Sequence, residues 1–178
     1  TYSRRQAVLE GRGLDGMVKG MLEDVIDEAC ESYLDGKYAA RCVAEWARKN
    51  LQVHVEPEDI TVGRRGDLTS LERSLRGRAT DEAVMNISVT LGEYMMEDAD
   101  AADWDLRGLS SWAMSRFSVN LSQNQLRKMS PKEVEEQLGE AAAVAIQETD
   151  LSHLVQYTHE SFARDALVEW AGRRLNLE

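Results

Sequence analysis

Trp46-Ala47-x-x-x-Leu51-x-Val53-x-Val55, Trp112-Ala113-x-x-x-Phe117-x-Val119-x-Leu121 and Trp170-Ala171-x-x-x-Leu175-x-Leu177 are three statements of one pattern. Each tryptophan is preceded at minus three by an aliphatic residue (Val43, Leu109, Leu167) and at minus four by a small one (Cys42, Gly108, Ala166). After the first two copies a further aliphatic falls five residues beyond the last match, at Ile60 and Leu126. The tryptophans stand 66 and 58 residues apart, above the usual solenoid periods, so the natural unit is a helical pair with a variable loop. An aliphatic at minus three and alanine at plus one are the spacing of a core anchor, and burying an indole removes about 150 to 250 Å² from water. Trp46, Trp112 and Trp170, with Val43, Leu109 and Leu167, are therefore expected to anchor the core. Trp104 lies outside the repeat beside Asp103 and Asp105 and is the candidate for an exposed contact.

Working outward, 178 residues with 43% hydrophobic content and only two prolines suit one compact domain rich in helix. The expected fold is all-α: repeated helical-pair units packed as an irregular bundle, with room for short extended segments between copies. The 21 basic and 32 acidic residues give a formal charge of −11, which repels a polyphosphate backbone and disfavours general nucleic-acid binding. Basic spots at Arg4-Arg5, Arg64-Arg65, Arg73 to Arg78 and Arg173-Arg174 are interspersed with acids and read as solvated helix faces. Arg65-Gly66-Asp67 reads as a turn before a helix. Cys30 and Cys42 lack CxxC spacing and fall in apolar helical patterns, as buried reduced thiols of a cytosolic protein do. The longest apolar run, 141–146, is far short of the roughly 20 residues that span a bilayer, which leaves only peripheral membrane contact.

Along the chain, residues 2–9 read as the end of a helix stopped by Gly11 and Gly13, and the opening without methionine suggests a piece of a longer protein. The final Leu177-Glu178 reads as a cloning remnant. From 14 to 34, Met17, Met21, Val25, Ala29 and Tyr33 recur every four residues with Leu22, Ile26 and Cys30 beside them, a helix with one wide apolar face. Asp35-Gly36 breaks it, a second helix covers 38–50, and alternating Leu51, Val53 and Val55 before Pro57 suggest an extended exit strand or a loop laid across the helix ends. Asp67 or Thr69 caps a helix running to about residue 96 through Leu71, Leu75, Ala79, Ala83, Ile87, Leu91 and Tyr94, with Thr80-Asp81 as a candidate interruption. Another helix covers about 104–117. Ser130-Pro131-Lys132-Glu133 is the clearest helix start, because serine caps, proline suits the first turn and glutamate completes the capping box. A last helix from Asp150 or Ser152 to about 174 carries Leu154, Tyr157, Phe162, Leu167 and Trp170 inward.

The chemistry-bearing patterns are missing. There is no GxxxxGK[ST], GxGxxG, GxSxG, HExxH or EF-hand loop, so the common nucleotide, dinucleotide, hydrolase, zinc-protease and calcium readings fall away. His153 and His159 stand six apart, on different helix faces, and His54 sits in the alternating exit. Neighbouring carboxylates such as Glu23-Asp24, Glu97-Asp98 and Glu135-Glu136 diverge by about 100° on a helix and do not converge on one substrate atom. No catalytic, cofactor-binding or metal-ligating residue is assigned.

The stretch Tyr2-Ser3-Arg4-Arg5-Gln6-Ala7-Val8-Leu9-Glu10-Gly11 resembles the place where the long scaffold helix of SecA, the motor ATPase of bacterial preprotein translocation, gives way to its helical wing. Met21, Glu23-Asp24-Val25 and Tyr33 are similar to the first wing helix, and the helix of Trp46 followed by Leu51-Gln52-Val53 looks like the wing helix that leads into a short alternating segment. The likeness is concentrated in the first 55 or so residues, and three helical units stand where the usual wing has about one, which suggests an enlarged wing. The repeat divides the chain into helical units at 13–66, 67–128 and 129–178 within one domain, and the resemblance makes 1–12 the end of a scaffold helix. It implies a non-catalytic piece of a motor that drives preproteins through the SecYEG channel, with ATP and Mg belonging to the parent's nucleotide-binding folds and no cofactor here. The implied partners are the rest of the SecA motor, preprotein and SecYEG, and the implied location is cytoplasmic, peripheral at the inner membrane. The rivals are a free-standing helical-repeat interaction module and a small helical enzyme using Cys42 or a histidine.

Overall fold

The computed structural model describes residues 14–62, 68–96, 100 and 102–176. The helix end at 2–9, the turn at Arg65-Gly66-Asp67, the cap at Asp67, the carboxylate pair Glu97-Asp98, and Leu177-Glu178 lie outside them. The chain is all-α, with no strand among the described residues. In order come α1 (Leu14–Leu34), α2 (Tyr38–Asn50), a 3-10 turn (Pro57–Asp59), α3 (Leu68–Tyr94), α4 (Leu106–Phe117), α5 (Gln123–Leu126), α6 (Pro131–Glu148), a 3-10 segment (Ser152–Thr158) and α7 (Phe162–Leu175).

The spine is α3 lying along α6, the most extensive helix pair. Buried residues recur every four positions along α3, at Leu71, Leu75 and Ala79 and then at Ile87 and Leu91, and the period carries on to Met95 just past its end. Each step of four advances about 40° beyond a full turn, so the apolar stripe winds around the helix instead of running straight. One helix thereby serves two cores. The first gathers Val43, Ala47, Val53, Val55, Leu75 and Leu154, and the second gathers Ile87, Leu109, Leu121, Leu126, Val134 and Leu138. Ala83, between the two halves of α3, packs against both. No interruption occurs at Thr80, whose hydroxyl donates back to the Arg76 carbonyl at 2.9 Å and so satisfies itself inside the helix.

Helix ends follow local chemistry. At α6, Ser130 Oγ accepts from the Glu133 N–H at 3.3 Å while the Glu133 carboxylate accepts from the Ser130 N–H at 2.7 Å. Ser122 and Gln125 make the same reciprocal box at α5, a short helix that the periodicity does not announce. Asp105 starts α4 by accepting from the Gly108 N–H at 2.8 Å. The far end of α6 is closed by Arg76, which donates to the Ile146 carbonyl and, at 3.0 Å, to that of Thr149.

The three copies share a backbone signature. Among the described residues, the non-glycine residues with positive φ are Gln52 (56°), Ser118 (57°) and Asn176 (52°). Each stands six after a repeat tryptophan, at the end of α2, α4 or α7. A left-handed residue ends the helix and turns the chain back over its last turn, which in the first two copies places Val53 and Val55, or Leu121, in the core. The alternation after Trp46 is thus a folded-back loop and forms no strand.

The last helix differs from its expectation. It is split at His159, where φ −70° and ψ 132° are extended, into the 3-10 segment and α7. α7 buries no residue fully and packs mainly on α1.

Candidate functional surface

The repeat residues occupy graded positions. Val43 and Ala47, Leu109 and Ala113 are all completely buried. Trp46 and Trp112 are half-buried, packed on the margins of the first and second cores. The reason is angular: residues at minus three and plus one centre a helix face about 80° from the indole, so the ring lies at the rim. Trp112 meets Phe117 edge-on at 5.2 Å and Tyr94 at 6.4 Å. Trp170 and Leu167 are half-buried on α7, with Trp170 6.4 Å from Tyr33 of α1. Trp104 is also half-buried against the second core, its Nε1 donating to the Met96 carbonyl at 3.2 Å. It borders a groove of about 550 Å³ shared with Arg107, Gln123 and Arg127.

The groups able to do chemistry are dispersed. His54, His153 and His159 are exposed, and His54 Nε2 lies 3.0 Å from Glu56. No group of three His, Cys, Asp or Glu side chains that could hold a metal occurs among the described residues. Cys30 and Cys42 are free and half-buried. Burial pushes the Cys42 thiol up, against a hydrogen bond from Tyr38 that favours the thiolate. Tyr38 itself is raised, chiefly by burial and then by Cys42. These are features of packing, and an activated nucleophile needs the opposite shift. The depressed carboxylates serve surface ion pairs, caps and turns: the Lys49 ammonium lowers Glu45, Lys37 lowers Glu58, and the backbone N–H groups of Ser130 and Ser152 lower Glu133 and Asp150.

What the fold does present is a surface on α1. An aromatic seam fixes the helix: Tyr33 lies 4.5 Å from Tyr38, Tyr38 stacks on Phe162 at 5.7 Å, and Phe162 meets Tyr157 edge-on at 5.1 Å. The turn between α1 and α2 is locked as well. Gly36 takes φ 79°, which glycine adopts without a Cβ penalty, while Asp35 accepts from the Lys37 N–H at 2.8 Å and from Arg41. Arg41 also donates to the Ser32 carbonyl, satisfying the end of α1, and it holds the Asp35 carboxyl below the usual range. So anchored, α1 covers its C-terminal half against α7 and leaves Val18, Met21, Leu22 and Ile26 exposed. No described helix is long and apolar enough to cross a membrane.

No family model and no solved structure matches the chain. Among curated proteins it is similar to protein translocase subunit SecA 1 of Rhodopirellula baltica (strain DSM 10527 / NCIMB 13988 / SH1), 20% identical over 177 residues. The similarity takes in 99% of the chain and 14% of that protein, so the chain spans about one seventh of the relative's length and is similar to a SecA region at most.

Proposed function

We propose that the chain is a non-catalytic helical wing of a SecA-type motor, one that couples ATP hydrolysis in its nucleotide-binding folds to preprotein movement through SecYEG. The observation that carries this reading is the similarity to a translocase subunit along 177 residues, and the scaffold-to-wing resemblance of residues 2–55 supports it. The spine of α3 lying along α6 suits a lever or cover that moves as a body beside the preprotein path, and dispersed reactive groups suit a part without chemistry of its own. ATP and Mg are then the business of the parent, whose partners are preprotein and channel at the cytoplasmic face of the inner membrane. The uncovered face of α1 favours a second reading, a free-standing interaction module. A spectroscopic ruler in the parent, from the exposed Ser115 of α4 to the nucleotide-binding folds, tests the first. The distance is expected to change between ATP and ADP states, and one fixed distance in every state refutes a moving lever.

A further inference from the structure

Along the first turns of α1, Val18, Met21, Leu22 and Ile26 are 47, 56, 44 and 40% exposed. They continue the same apolar arc that, further on, packs Ala29 and Tyr33 beside Trp170. A methionine-containing helix face of this kind adapts to the side chains laid on it. Its margins are unequal. On one edge the helical spacing sets Asp24, Glu28 and Glu31 in a row beside Met21. None of the three has an ion-pair partner among the described residues. On the other edge Lys19, the one basic residue of α1, already pairs with Glu23 at 3.8 Å.

That charge pattern selects the occupant. Two copies of α1 placed face to face would oppose like-charged margins, since the helix carries six acids and one base. An anionic lipid surface is repelled for the same reason. We propose that the uncovered half of α1 seats an amphipathic helix of another polypeptide, apolar where it meets Met21, Leu22 and Ile26 and lysine- or arginine-rich along the margin facing Asp24, Glu28 and Glu31. This stands on the surface alone and goes beyond the translocase reading, so either can fail without the other.

The probe is a labelled synthetic helix of about 18 residues with a leucine face and lysines along one margin, titrated with the chain by fluorescence anisotropy. One control peptide replaces the lysines by glutamates, and another keeps the composition but scrambles the helical period. The expected result is saturable binding of the lysine helix, about tenfold or more tighter than either control, and weakened at about 0.5 M salt. Met21→Ser with Leu22→Ser and Ile26→Ser should weaken it about tenfold. Asp24→Asn with Glu28→Gln and Glu31→Gln should weaken the lysine helix about fivefold while leaving the glutamate peptide unaffected. Circular dichroism verifies that these variants, all at exposed positions, keep their helix content. Equal binding of the three peptides, indifference to either variant set, or a self-associated chain that the serine variants dissociate would overturn the proposal.

Discussion

Truncating Leu109 separates the interior pegs of this fold from its rim. Leu109 is fully buried among Ala113, Leu121, Leu126, Val134 and Leu138. Leu109→Ala removes three carbons, each worth about 0.8 kcal/mol of transfer free energy. It also opens a cavity costing about 24 cal/mol per Å³ of whatever space stays empty. Collapse is restricted. The Leu121 carbonyl is tied to Ser110 Oγ at 2.6 Å, and α5, which carries Leu126, is pinned by its capping box. The loss should therefore be about 3–4 kcal/mol. For a domain of this length that lowers the melting temperature by roughly 6–16 °C. Trp112→Ala removes a larger side chain from a half-buried site, where the ring contacts Tyr94 and Phe117 on one flank and water on the other. It should cost about 1.5–2.5 kcal/mol, half of what a core tryptophan loses. Urea unfolding followed by circular dichroism measures both. A Trp112→Ala loss equal to or greater than that of Leu109→Ala would refute the argument that the positions flanking each indole hold the core.

Other outcomes follow from named sites. Ser118→Gly should stabilise by about 0.5–1 kcal/mol in the same unfolding assay, because the left-handed conformation at this exposed position disfavours a Cβ. The Ser130 N–H and hydroxyl hold the Glu133 carboxyl below its ordinary 4.5. Its contribution is complete above about pH 4.5 and is lost as pH falls through the lowered folded value. Glu133→Gln should accordingly flatten the acid limb of a stability–pH curve. Cys42, its thiol raised by burial, should alkylate at about pH 8 many times more slowly in the native chain than in urea. Equal rates contradict its packed environment.

Much of the architecture is legible in the residues. The periodicity of 14–34 and 38–50 and the Ser130-Pro131-x-Glu133 start place α1, α2 and the beginning of α6 where the structure has them, because propensity, cap and apolar spacing agree there. The misreadings occur where they do not. The split at His159 carries no glycine or proline to announce it, and α5 is a single turn that offers no period. The left-handed residues are glutamine, serine and asparagine, of which only asparagine is a habitual choice there. The rim position of the indoles follows from angles around the helix, whereas hydrophobicity alone puts them inside. The surface on α1 was half visible, since a sequence shows that a face is apolar without showing which half of it a neighbour covers.

Removing residues 13–177 from the parent protein tests most directly whether the chain is a non-catalytic wing of a translocation motor. Nucleotide hydrolysis and preprotein transport into membrane vesicles are then measured together. The predicted result is retained ATP hydrolysis with far less preprotein moved per ATP. Unchanged transport, or hydrolysis lost along with the deleted piece, would contradict it.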